Sequence, residues 1–428
     1  MDYSKTTKPL KTAGGRQTAS CGLAMWICFM GSAFFTGCGK RAPIEPAVGM
    51  DSPEQTWVRV LLFGNLDQCT IAAPGGFIVE GIDNGVTAEF SDTQPMRLCL
   101  ENGRIRIGHH RVGQDVMIRS KDPYYFLVDD AGFRGNLHVR VTEDGTRIQM
   151  INHVPLESYL LGVIGAEMYS YWEPEALKAQ TVAARTYCLA IQHRFGPARL
   201  WDVTRVQSSQ MYHGLAAENA RIRQAVLETT GQILVAKGND GSEAIFPAYY
   251  SSSCGGHTEN SQAVFGEDWI NLPGVACPWC EKITRRRDFF WGPVDYPIDG
   301  VSHRLMERYP VLQRLERIID VNVLETGSHG RINTIELIGT NGQKDRLRGE
   351  DFRLALDPSG LRLRSTLVEL IKIKDGIRFD HGRGFGHGVG LCQYGAQGLA
   401  REGCDYTEIL SFYYPHARLV RIQTTAAQ

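Results

Sequence analysis

The sequence predicts an α+β fold, mixed helices with antiparallel β regions, and three observations carry that reading. Segments such as Trp57 to Phe63, Arg104 to Ile107 and Leu137 to Val141 alternate apolar and polar residues between Asn-Gly, Asp-Gly and Gly-Gly turn signals. From about residue 154 the apolar spacing changes to that of helices. The 46 glycines and 18 prolines are scattered without period, which means many turns and short strands. The 428 residues are 43% hydrophobic and 22% charged, ordinary for a folded chain, and the length corresponds to two or three units at roughly 150 residues each. Disorder, collagen and coiled coil are excluded as dominant states, and there is no internal repeat. With 46 basic against 47 acidic side chains, the net charge of -1 gives no bulk attraction to nucleic acid or to an anionic membrane.

The elements follow in order. Lys5, Lys8, Lys11 and Arg16 stand against Asp2 alone, ahead of an apolar run from Leu23 to Phe35 that is shorter than the ~20 residues of a spanning helix. Residues 1–38 therefore read as a secretory signal. The run ends in Phe35-Thr36-Gly37-Cys38, which looks like a lipobox with Cys38 as the acylated residue; the alternative is a plain signal peptide cut nearby. Residues 39–56, rich in Pro, Gly, Ala and Ser, read as a tether. Residues 57–150 form the N-terminal β-rich region. A short apolar helix opens at Val154-Pro155-Leu156-Glu157 and ends near Glu167. A longer one begins at Pro174, whose missing N–H costs nothing in a first turn. It places Leu177, Thr181, Ala184, Cys188 and Ile191 on one face and ends near Gly196. A third helix fits Ala216 to Thr229, before a strand at Gly231 to Val235. Ile318 to Leu324, Ile332 to Ile338 and Leu367 to Ile373 alternate again, so a second β region is inserted at about 316–373. Arg285 to Arg287 read as a solvated charge run.

Eight of the eleven cysteines lie beyond Cys38: Cys69, Cys99, Cys188, Cys254, Cys277, Cys280, Cys392 and Cys404. Cys254-x2-His257 is followed by Cys277-x2-Cys280, two knuckles of the kind that give one tetrahedral zinc its four ligands. With every position taken, such an ion is structural, since catalytic zinc keeps one position open. A disulfide among these cysteines is the alternative in an oxidising compartment.

Two segments carry more chemistry than packing requires. In Gly165 to Trp172, Glu167 closes an apolar helix and three aromatic residues follow. Burial beside aromatic surface raises a carboxyl pKa, and aromatic faces stack on sugars. A helix-end glutamate making a cap or a salt bridge is the plainer alternative. In Gly382 to Ala396, glycines at alternating positions let backbone approach a ligand closely. Their spacing is not that of a dinucleotide fingerprint.

Four blocks, Asn152 to Met168, Glu175 to Tyr187, Tyr250 to Glu259 and the glycine-rich segment, resemble the SpoIID/LytB family of bacterial cell-wall proteins, in the family's order over about residues 150–420. The resemblance implies a SpoIID-like cleft domain over 151–422 and an exported lytic transglycosylase acting on peptidoglycan glycan strands. It equally admits a non-catalytic enhancer that assists a cell-wall amidase. It puts the catalytic glutamate on Glu167 and places His387, Gln393 and Tyr394 near the substrate; Tyr171, an aromatic ring after Glu167, and Arg185, within the second block, are expected substrate contacts as well. The family's Trp201 to Tyr212 block supplies metal ligands in some members. Here Ser208 and Ser209 stand there, which leaves Cys254, His257, Cys277 and Cys280 as the metal set. Cys392 stands where Ser is common, and Tyr169-Ser170 where a Pro often follows. The expected location is the cell envelope, with a lipid anchor to the membrane through Cys38. A cysteine peptidase using Cys392 and His387 is disfavoured, because a nucleophilic cysteine usually has its histidine distant in sequence.

Overall fold

Trp57–Leu66 alternates as its sequence demands, with Val58, Val60 and Leu62 buried and their neighbours part-exposed. The computed structural model describes residues 56–422 except 92, 93, 208 and 238–240. The leader, Cys38, the tether up to residue 55 and Ser208 lie outside the described residues. Trp57–Leu66 sits near one edge of a seven-stranded sheet, antiparallel to Ile148–Pro155 and parallel to the short Val203–Thr204. The sheet continues through Asn136–Val141, Asp115–Ser120, Phe77–Gly81 and Thr87–Phe90. A six-stranded antiparallel sheet runs from Ala131–Arg134 to His110–Gly113. The inward side chains of both sheets, among them Val79, Val116, Val139, Ile71, Leu98 and Ile105, merge into one core with the helices that follow. The α+β class is therefore what the chain adopts.

Ile148–Pro155 runs directly into the helix Leu156–Glu167. Leu156, Tyr159, Leu160, Leu161, Val163 and Ile164 are all buried, so this helix is apolar nearly all round, as a helix enclosed by protein must be. It stops when Met168 turns to extended backbone (φ -130°, ψ 152°), which leaves Glu167 as its last residue. Pro174–Phe195 starts with proline in its first turn. Its buried Ala176, Ala179, Ala183 and Ala184 let neighbouring helices approach closely. Ala220–Glu228 begins later than the sequence pattern had it: a 3-10 turn occupies Gly214–Ala217, and Asn219 caps the helix by accepting from the amides of Arg221 and Ile222.

The inserted region has a core of its own, built on Val301, Leu305, Val321, Ile335, Leu337, Phe352 and Phe379. Ile318–Thr326 and Ile332–Gly339 form one three-stranded sheet with Lys344–Arg348. Glu369–Ile373 joins a different one, with Gly376–Asp380 and Val294–Pro297. Two helices, Ile298–Arg308 and Gly349–Leu356, complete the region; the apolar spacing did not announce them. The chain then returns to the first core as Leu391–Cys392, which pairs in parallel with Tyr250–Ser251 and continues as the helix Gln393–Arg401.

Candidate active site

Glu167 is half-buried at the C-terminus of its helix, and three separate segments bring donors to its carboxyl. The Met211 amide donates to Oε1 at 2.8 Å, and Gln393 Nε2 donates to Oε2 at 3.3 Å. The Tyr250 hydroxyl is the third donor. Behind Tyr250 the network continues: Gln210 Nε2 donates to the Tyr250 oxygen at 3.0 Å, and the Tyr159 hydroxyl donates to Gln210 Oε1 at 3.1 Å. All three donors to Glu167 are uncharged. Burial raises the Glu167 pKa, and the hydrogen bonds from Met211, Gln393 and Tyr250, which favour the carboxylate, only partly oppose it. Burial likewise holds the Tyr250 pKa well above that of a free phenol, so Tyr250 keeps its proton and remains a donor.

The residues that follow the helix of Glu167 build an aromatic wall. Tyr169 and Tyr171 stack at 5.3 Å, Tyr169 meets Trp172 at 5.5 Å, and Trp172 meets Tyr394 edge-on at 4.9 Å. Tyr171 is 63% exposed and offers an open ring face of the kind a sugar stacks on. The wall is tied to the Gln393–Arg401 helix, because Gln397 Oε1 accepts from the Glu173 amide at 2.8 Å.

The structure thus brings Gln393 to Glu167, and links Tyr171 through Tyr169 and Trp172 to Tyr394, the residue after Gln393. Arg185 is not with them. It is fully buried, its Nε and Nη2 donate to the two carboxylate oxygens of Glu157 at 2.9 and 2.6 Å, and its Nη1 donates to the Gln232 carbonyl at 3.1 Å. The expectation that Arg185 faces substrate is corrected to a buried clamp between two helices and a strand, because it lies on the helix face that packs inward. His387 stands one layer back. Its ring lies 5.1 Å from Phe265 and 5.9 Å from Tyr249. Its Nδ1 accepts from the Val389 amide at 3.0 Å, and its ring N–H donates to the Tyr250 carbonyl. Burial brings its pKa down to about 4, so at neutral pH it is an uncharged brace for Tyr250.

The second group of interest is a set of four buried cysteines, Cys254, Cys277, Cys280 and Cys392, whose sulfurs all lie within 4.8 Å of one another. His257, expected as a ligand, is outside it. Instead of a tight knuckle, His257 forms a bridge with Ala276, its ring stacks on His329 at 3.4 Å, and its Nδ1 is 2.6 Å from the Thr258 carbonyl. Cys392 fills the place expected for it. Two features of this site escaped the sequence reading. Tyr250 opens the Tyr250 to Glu259 block, but nothing in the sequence signals its role. The Met211 amide is backbone and has no signature at all.

A pH dependence follows. Gln393→Ala and Tyr250→Phe each remove a bond that stabilises the carboxylate, so each raises the Glu167 pKa further. If proton donation by Glu167 limits the reaction, the alkaline limb of the rate profile, where the acid is lost, moves to higher pH in both variants. A carbon-13 titration of the Glu167 carboxyl checks the same shift without turnover, and a downward shift refutes the assignment of these donors.

Comparison with known proteins adds to this geometry. Residues 144–235 match a family model described as Stage II sporulation protein, and residues 284–390 match one described only as a domain of unknown function. An uncharacterized protein of Brachyspira hyodysenteriae (strain ATCC 49526 / WA1) is 33% identical over 267 residues, 62% of this chain and 66% of that protein. Stage II sporulation protein D of Bacillus subtilis (strain 168) is 29% identical over 283 residues, 63% of this chain and 75% of that protein. A protein of the same strain named Amidase enhancer is 28% identical over 297 residues, 61% of this chain and 40% of the relative.

Proposed function

The chain belongs to the SpoIID/LytB family, and from that premise we propose that it is an exported lytic transglycosylase cleaving the MurNAc-GlcNAc bond of peptidoglycan. The observation that supports this most is a half-buried carboxyl of raised pKa, Glu167, held by three uncharged donors at the end of a helix that leads into the exposed rings of Tyr169 and Tyr171. Glycosidases that use water generally need a second carboxylate. One carboxyl suffices when the sugar's own C6 hydroxyl attacks. Protonated Glu167 gives its proton to the glycosidic oxygen as the C1–O4 bond breaks. The resulting carboxylate takes the proton of the C6 hydroxyl as the C1–O6 bond forms. The proton account closes on Glu167, and the product carries a 1,6-anhydro end. Holding the hydroxyl on the same ring supplies the effective concentration that a free nucleophile lacks. Gln393 and Tyr250 hold the carboxyl in place through both halves.

The second reading is a non-catalytic enhancer that binds glycan and assists a cell-wall amidase; the match to a protein named Amidase enhancer favours it. Purified peptidoglycan, incubated with the protein and followed by mass analysis of the released sugars, separates the two. Anhydro-ended muropeptides support turnover, and their absence together with stimulation of an amidase supports the enhancer.

The proposal places the protein in the cell envelope. Among the described residues no helix is long and apolar enough to cross a membrane, and the attachment proposed is lipid at Cys38. Cys38→Ala is expected to move the protein from the membrane fraction to the soluble exported fraction, since an acylated terminal cysteine supplies the more than one chain that stable anchoring needs. Unchanged fractionation refutes the anchor. Zinc is the metal proposed for the cysteine group, as a structural ion with no part in the bond-breaking step.

A further inference from the structure

We infer that Cys254, Cys277, Cys280 and Cys392 form one tetrathiolate zinc centre, and that this centre seats the strand and helix presenting Tyr250 and Gln393 to Glu167. The donor set fits the ion. A tetrahedron with zinc–sulfur bonds of about 2.3 Å has sulfurs about 3.8 Å apart. The Cys254 and Cys280 sulfurs are 3.7 Å apart, and all four fall within 4.8 Å. That leaves room for one ion at the centre, and four soft donors in that shape select zinc or a like ion. Outer partners are in place as well: the Cys254 amide donates to the Cys392 sulfur at 3.3 Å, and the Tyr413 hydroxyl lies 3.2 Å from the Cys277 sulfur. Such second contacts orient thiolates around a metal.

The centre is built into the catalytic framework. Cys392 pairs with Ser251 in the two-stranded ladder whose other rung is Tyr250 with Leu391. The residue after Cys392 is Gln393, the first of its helix. One sulfur ligand therefore has on one side the strand of Tyr250 and on the other the helix of Gln393. The helix also rests on the centre at Gly395, where a Cβ would stand 2.5 Å from the Cys277 sulfur and 2.0 Å from the Tyr413 hydroxyl. Only glycine lets the helix sit so low. The inserted region is anchored there too, since Arg331 Nη2 donates to the Cys254 carbonyl at 2.6 Å. The metal assignment deepens the zinc proposal above, and the seating matters for chemistry only if Glu167 has the role proposed for it.

Metal analysis and hydrogen exchange on the full-length protein test both halves without an activity assay. Reduced, freshly purified protein is expected to hold about one zinc per chain, with affinity falling at least about tenfold in Cys392→Ser and unchanged in His257→Ala. Cobalt-substituted wild type, which needs no variant to fold, is expected to show the strong near-ultraviolet charge-transfer absorption of four thiolates. No metal with mapped disulfides among these cysteines, a three-thiolate spectrum, or metal lost in His257→Ala but kept in Cys392→Ser overturns the centre. For the seating, protein refolded in chelator is compared with the same protein given zinc. Zinc is expected to slow exchange at least tenfold in peptides covering 250–254 and 391–401 and to leave the 57–66 and 148–155 strands unchanged. Equal exchange in the two preparations overturns the seating, as does a change spread evenly over the chain. If both tests succeed while peptidoglycan stays uncut, the centre stands and the transglycosylase reading falls.

Discussion

Glu167→Gln is expected to abolish release of 1,6-anhydro sugars while the protein still folds and still binds glycan. Glutamine keeps the shape and can accept the Met211 amide bond, but it can neither donate a proton to the glycosidic oxygen nor take one from the C6 hydroxyl. Loss of general acid-base catalysis typically costs ~10² to 10⁴ in rate, which an endpoint assay reads as inactivity. Glu167→Asp is expected to fail largely as well, because shortening the arm moves the proton by about 1 Å, and such misplacement can cost ~10²-fold. Mass analysis of digested peptidoglycan is the measurement. Wild type that releases no anhydro product, yet stimulates an amidase equally well with Gln at 167, gives the enhancer reading its case. Ordinary reducing ends would mean hydrolysis and a second carboxylate.

Arg185→Ala is expected to produce the largest loss of stability, about 3–5 kcal/mol, the usual cost of removing one partner from a buried ion pair. The change strands the Glu157 carboxylate, which Arg185 clamps from Nε and Nη2, and frees the Gln232 carbonyl at the start of a strand. Denaturant unfolding measures the loss. Glycan binding by the molecules that remain folded should be unchanged, because the guanidinium is fully buried. A weakened glycan affinity with normal stability would restore the substrate-facing role.

The inward position of Arg185 was within reach of the sequence. It follows Thr181 by four residues and precedes Cys188 by three, so it lies on the face already read as core; the family block in which it stands drew attention to chemistry instead. Glu167, Gln393 and Tyr394 were placed in one cleft by resemblance, and in the structure Glu167 and Gln393 touch. No spacing rule could have joined them. Local spacing also misled at the cysteine group, where His257 was expected. Two-residue knuckles speak for neighbours, whereas Cys392 arrives from beyond the inserted region through a parallel pairing with Ser251. Within that region, the apolar alternation of Ile318–Thr326 and Ile332–Gly339 was legible because one face of each strand is buried. Ile298–Arg308 was not. It buries only Val301, Ser302 and Leu305, too thin an apolar stripe to stand out from a loop, and owes its helical form to packing against the inserted core.

Partners of the Glu167 carboxyl lie 44 and 226 residues further along the chain, and this fixes the order in which the site can come into being. A chain made from its N-terminus has the acid helix early, but Tyr250–Ser251 lacks its neighbouring strand until Leu391–Cys392 has been added, and Gln393 comes after that. Contacts of such separation form only once the intervening chain has closed on itself, which makes them late events. A half-finished molecule carries Glu167 without the donors from Tyr250 and Gln393, so the surroundings of this carboxyl are complete only when nearly the whole chain has folded.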